Sequence, residues 1–292
     1  MTESVEMRLI VHDSRRCQLG EGPLWHPERK QLYWFDILGK RLLSRTESGE
    51  LSWQFDEHVS AAGWIDRDTL LIASESALFT FDLNDGVRVS TVCELEADNS
   101  GTRSNDGRAD PWGGFWIGTM GKGHEAAAGA IYRWYGGELQ RLYADIAVSN
   151  AICFSPDRAC AYFTDSRDGR IMRQELEPEE GWPVGEPRVL IDVSRESFGA
   201  DGMVVDSEGC LWNARWGDHR VARYAPNGVL EMTVVFPTPQ VSCPAFGGED
   251  YGTLYVTTAA TGLDDPDGHA GQTYGVTGVF GIAGLPEHRV DL

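Results

Sequence analysis

The chain repeats itself six times, and no other feature constrains its fold as much. Segments starting at Glu21, Ala61, Asn105, Asn150, Asp201 and Cys243 share one pattern, with start-to-start steps of 40, 44, 45, 51 and 42 residues. They read EGPLWHPERKQLYWFDI, AAGWIDRDTLLIASES, NDGRADPWGGFWIGTM, NAICFSPDRACAYFTDS, DGMVVDSEGCLWNARW and CPAFGGEDYGTLYVTTA. Each holds a short apolar run, a polar turn and a second run rich in aromatic or β-branched residues, which marks strands rather than helices. A period of about 40 to 50 residues made of strands and turns is one four-stranded blade. The strands can be counted in the third unit as GRADP, GFWIGTM, GAIYRWY and ELQRLYADI, and the fourth and fifth units count likewise. The long fourth step is filled by an acidic Pro/Gly loop at Leu176 to Pro187.

The spacing therefore predicts an all-β fold: a six-bladed β-propeller spanning residues 1–292 as one domain, since no linker interrupts the repeat. The sixth unit runs out of chain, while a spare strand, MRLIVHD at Met7 to Asp13, precedes the first. That strand is expected to complete the last blade and close the ring, which removes exposed sheet edges. A pair of sandwiches or a solenoid would not leave one strand over at the opposite terminus. Propellers of the Trp-Asp type are disfavoured, because no Trp is followed by Asp.

Equivalent positions of successive blades lie on a ring about the axis. Glu21, Ala61, Asn105, Asn150, Asp201 and Cys243 share one such position, expected just before the innermost strand of each blade. Four of them carry side-chain oxygens. Two carboxylates and two amide carbonyls facing one point suit a hard divalent cation. The carboxylates would otherwise repel each other. For any one of these residues, satisfying loop amides at the channel mouth is the plainer role.

Net charge bears on partners. At -20, the surface repels phosphate backbones and anionic membrane faces, so neither nucleic acid nor a membrane is expected. The N-terminus shows no basic start followed by an apolar stretch, so no secretory signal is read there. The six cysteines (Cys17, Cys93, Cys153, Cys160, Cys210, Cys243) form no Cys-x-x-Cys pair and read as reduced thiols of a cytoplasmic protein. The histidines form no zinc-type grouping. The acidic loop LDDPDGHAG at Leu263 to Gly271 lacks the spacing of a calcium loop and reads as a solvated loop.

The motifs LGEGPLWHP, RSNDGRADPWGGFWIGTM, SNAICFSPD, ADGMVVDSEGCLW and CPAFGGEDYGTLYVTTA, in this order from about Glu21 to Ala259, resemble those of the gluconolactonase family, which includes regucalcin and the luciferin-regenerating enzyme. The resemblance implies a six-bladed propeller, in agreement with the count. It also implies one bound divalent cation, with Glu21, Asn150 and Asp201 as ligands and Asp201 as the catalytic residue that assists the attacking water. Calcium or zinc leads the choices of metal, with manganese, magnesium and iron(II) open. Arg103 and Asn105 would contact substrate, and Asn105 the ion as well. Asn150 is followed by Ala where the family usually has Gly. The acidic substrate contact that the family places after its GTM segment has no clear counterpart in GKGHEAAAG: Glu125 is the candidate, with Lys122 nearby, and a solvated loop charge is the alternative for each.

The implied reaction is hydrolysis of a sugar (aldono) lactone to the sugar acid by a monomer or weak homo-oligomer. A cation beside Asp201 makes it a weaker base but also acidifies water, so a weak base suffices. Arg103 would orient hydroxyls or a carboxylate through its forked donors. Cys243 reads as packing near the channel rather than as a nucleophile. Two other functions compete: a calcium-binding regulatory propeller with little catalysis, and hydrolysis of other esters, including organophosphates. A plain ion binder has no need of a substrate-orienting Arg103.

Overall fold

A computed structural model describes residues 7–263, 268–279 and 281–292. The described residues form six antiparallel sheets of four strands each, with no helix. None therefore provides a helix long and apolar enough to cross a membrane. The innermost strands are Gly20–His26, Val59–Trp64, Thr102–Ala109, Ser149–Phe154, Gly199–Val205 and Val241–Gly247, and they define blades 1 to 6 in chain order. The N-terminal strand Arg8–Asp13 pairs with Thr273–Thr277 as the outer strand of blade 6, in the register Arg8↔Thr277 to Asp13↔Thr273. The ring is thus closed by the spare strand, as the repeat predicts. The acidic loop read as solvated, Leu263 to Gly271, lies partly outside the described residues.

The core is distributed rather than central. Buried apolar side chains fall into six clusters, each shared by two successive blades. The Trp34, Trp116 and Trp212 side chains are fully buried in three of them. The second run of each repeat supplies this packing, which is why it is rich in aromatic and β-branched residues: such residues fill the space between two twisted sheets. The axis, by contrast, is lined by the small and polar residues of the innermost strands.

The ring positions differ in one respect from the sequence-based expectation. They do not precede the innermost strands but lie inside them, at a register shift that recurs in all six: Glu21/Leu24, Val59/Ala61, Ser104/Gly107, Asn150/Cys153, Ala200/Met203 and Val241/Cys243. Such bulges insert unpaired residues and re-aim side chains. Alternation is broken there, so the apolar run begins only after the bulge and the sequence pattern marks the strand late.

Candidate functional site

Two bulges show how the side chains are aimed. Gly22, directly after Glu21, has φ 52°, and a Cβ on it would lie 2.3 Å from the Ser60 carbonyl oxygen. Only glycine fits there. Ala151, directly after Asn150, has φ 61°. A left-handed non-glycine residue costs about 1–3 kcal/mol and is held only where its surroundings enforce it. The strain falls on the residue that turns Asn150 toward the axis.

Glu21, Arg103, Asn105, Asn150 and Asp201 line one cavity of about 250 Å³ at the channel mouth, walled by blades 1, 3, 4 and 5. All five are buried. Leu19, Met120, Val148 and Trp216 add apolar wall, and Ser166, His124 and Arg167 complete the polar lining. Ala61 and Cys243 take no part in this wall. Cys243 lies deeper, where Gly202 packs against its sulfur. Burial first, and the Glu21 charge second, hold its thiol well above the ordinary range, so it stays protonated and acts as packing.

A relay of amides orients the mouth. Asn150 Nδ2 donates to Ser166 Oγ at 2.9 Å, and Ser166 Oγ donates to the Ala200 carbonyl at 2.5 Å. The Ser166 proton is thereby committed, and Asn150 presents Oδ1 on the side where Asn105 Nδ2 approaches at 3.2 Å. Asn105 Nδ2 also donates to the Ser149 carbonyl at 2.8 Å, while Arg103 Nη1 donates to Asn105 Oδ1 at 2.7 Å and to the Ser104 carbonyl at 2.8 Å. The Asn105 oxygen is therefore engaged by Arg103, and Asn105 serves to steer Arg103 and Asn150. Glu21, Asn150 and Asp201 bring the remaining side-chain oxygens of the ring to the cavity, that of Asn150 while it accepts from Asn105.

The electrostatics are unbalanced. Burial, then the Asp106 charge, pushes the Glu21 carboxyl up to about 8. Burial, then the Glu21 charge, pushes Asp201 well above the carboxylate range. Among the described residues neither forms an ion pair; Arg103 acts on both through space only, and burial pushes it down to about 10. Two desolvated carboxylates and an amide oxygen, with no sulfur or imidazole among them, match the donor set of a hard divalent cation. A cation would offset the burial and the like-charge repulsion that raise these carboxyls.

Glu125, read from the sequence as a substrate contact, is not among the residues that line the cavity, and other residues are. Glu125 is exposed, and its carboxylate accepts a hydrogen bond from the Gly123 amide at 3.1 Å. The turn at His124, with φ 59°, sends His124 to the cavity and Glu125 back onto its own loop. Lys122 is held by Glu75 at 3.0 Å and by the Ser100 carbonyl, also at 3.0 Å, and does not line the cavity. The missed residues are Asp106, Ser166 and Trp216. Asp106 stands beside Asn105 in the RSNDG motif, and that adjacency was the available signal.

Fold and site together define a six-bladed propeller with a pocket at its axis, lined by Glu21, Arg103, Asn105, Asn150 and Asp201. Residues 19–260 match the family described as the SMP-30/Gluconolactonase/LRE-like region. A Rhizobium meliloti protein provisionally named a sugar lactone lactonase is 42% identical over 94% of this chain and 95% of its own length. The L-arabinolactonase of Azospirillum brasilense is 38% identical over 91% of this chain and 90% of its own. A crystal structure of a calcium-binding protein, regucalcin, from Agrobacterium tumefaciens superposes with a TM-score of 0.92 at 39% identity, covering 97% of each chain. The chain belongs to the SMP-30/gluconolactonase/LRE-like family.

Proposed function

We propose that this chain is a metal-dependent lactonase that opens a sugar lactone to the sugar acid, with one divalent cation held by Glu21, Asn150 and Asp201. One observation carries this reading: two buried carboxylates that form no ion pair among the described residues share a cavity with the Asn150 amide and with Arg103. The lactonase names of the relatives support the substrate class. The cavity, at about 250 Å³, lies below the ~300–1,000 Å³ of pockets for drug-sized ligands and suits a single sugar ring.

A bound divalent cation supplies Lewis acidity toward the ring carbonyl and lowers the pKa of water. The chain's residues do the rest. Glu21 and Asn150 hold the ion, with Asn150 fixed by Ser166. Asp201 is placed to take a proton from the attacking water as oxygen adds to the carbonyl carbon. The ring C–O bond then breaks, and its oxygen leaves as a hydroxyl after protonation. Arg103 directs its remaining donors to the sugar hydroxyls, its orientation set by Asn105. Trp216, Leu19, Met120 and Val148 exclude water from the rest of the wall. Glu125 has no part in this scheme. All six cysteines are unpaired, which supports a reducing compartment such as the cytoplasm. The monomer or weak homo-oligomer remains part of the proposal.

A second reading, a calcium-binding propeller with little catalysis, draws on the name of the regucalcin structure. The two are separated by measuring acid release from glucono-, arabinono-, xylono- and galactono-lactones with and without chelator. Chelator-sensitive hydrolysis of at least one is expected. None across the panel would leave the binding reading standing.

A further inference from the structure

Below the mouth, the channel floor is closed by the C-terminal segment. Residues 281–292 leave blade 6 and cross the axis: Ser207 N donates to the Ala283 carbonyl and Gly284 N to the Tyr251 carbonyl, while Val290 N reaches the Trp64 carbonyl and Asp291 N the Gly113 carbonyl, each at 2.9 Å. Val290 is fully buried against Gly63, where a Cβ would meet it at 2.5 Å. At the centre of this crossing the Glu287 carboxylate pairs with Arg108, the two side chains being 9% and 11% exposed.

Arg108 does more than pair with the tail. Its Nε donates to the Ile152 carbonyl at 3.1 Å and its Nη2 to the Met203 carbonyl at 3.2 Å. Ile152 lies two residues past Asn150, inside the bulge where the ladder leaves it unpaired, and its amide is taken by Asp106 Oδ2 at 2.7 Å. Met203 lies two residues past Asp201 and ends the corresponding bulge in blade 5. One guanidinium thus fastens two of the three bulges that carry candidate ligands, those of Asn150 and Asp201, and Glu287 is its ion-pair partner. Without Glu287, Arg108 would lose its only ion pair among the described residues and keep just the through-space charge of Asp106, a costly state for a buried cation.

We propose that Glu287 is a positioning residue for the cation site: through Arg108 it holds the strand bulges that present Asn150 and Asp201. This rests on the reading of the mouth as a cation site. Outer groups that orient a metal's ligands are typically worth 10- to 100-fold in metal affinity. The test is calorimetric titration of calcium, and in parallel zinc, into the chelator-stripped full chain. Glu287→Gln, which keeps shape and loses charge, is expected to raise Kd by roughly 10-fold or more. A purely structural tail would lower the melting temperature of the ion-free chain and leave Kd alone, so both are measured. Should Glu287→Gln not fold, Arg108→Lys, which keeps the charge but cannot reach three partners, is held to the same criterion. A Kd within about twofold of wild type in the folded variant overturns the inference. Failure of the wild-type chain to bind either ion would instead sink the reading of the mouth.

Discussion

Two groups of ligand-type side chains in this molecule invite comparison. Asp206, Glu208 and Cys210, on the first turn of blade 5, come together with the reach to hold a metal ion. Glu21, Asn150 and Asp201 converge at the channel mouth. In the blade, the chain supplies its own cation. Arg223 Nε lies 2.8 Å from Asp206, and its other two nitrogens pair with Glu208 and Glu231. Asp206 is further engaged by Trp212 Nε1 and by the Glu208 and Cys210 amides, each at 2.9 Å. At the mouth, Arg103 donates to Asn105 and to the Ser104 carbonyl, and among the described residues it forms no ion pair with Glu21 or Asp201. The blade cluster has its counter-ion within the chain, whereas among the described residues Glu21 and Asp201 at the mouth have no ion-pair partner. Proximity of acidic groups therefore says little until their counter-ions are traced.

The comparison can be broken or sharpened in order of expected effect. Asp201→Ala should lower lactone hydrolysis on the order of 10³-fold or more with the fold intact, as read by kcat at saturating metal together with circular dichroism. Substantial activity in the metal-replete variant would remove Asp201 from catalysis. Arg223→Met should do the opposite. It strips the counter-ion from the fully buried Asp206, at a cost of about 3 kcal/mol read by chemical denaturation, while kcat per folded molecule stays within about twofold. A loss of activity like that of the Asp201 variant would erase the distinction between the clusters. Arg103→Lys removes the fork but not the charge, and should raise KM for the lactone about tenfold with a smaller change in kcat.

The mouth should also show itself in pH. The folded-state value of Glu21, about 8, exceeds its ordinary 4.5, so without a cation the folded chain binds protons that the unfolded chain releases. Its contribution is fully present below about pH 4.5 and is lost as pH rises toward about 8. A cation needs both carboxylates ionised and so binds more tightly over the same interval. The melting-temperature gap between calcium-loaded and chelated protein is therefore expected to widen, by a few degrees, as pH rises across that window. A gap that narrows contradicts the assignment.

Much of this was legible in the repeat. Six similar units and one spare strand imply the ring, and ring geometry brings the strands of Glu21, Asn150 and Asp201 to one mouth. What stayed hidden depends on local departures from repeat logic. The bulges conceal where each innermost strand begins. The left-handed turn at His124 decides that Glu125 faces away, and nothing in GKGHEAAAG announces it. Ser166 lies one strand beyond the Asn150 it orients, and Glu287 lies 179 residues from Arg108. Such contacts belong to the closed ring and not to any one unit.

Locating the ion tests the central claim most directly. Anomalous diffraction from crystals of the full chain grown with zinc or manganese should show one strong peak within about 2.0–2.6 Å of oxygens of Glu21, Asn150 and Asp201. A peak at Asp206, Glu208 and Cys210 with none at the channel mouth would contradict the account.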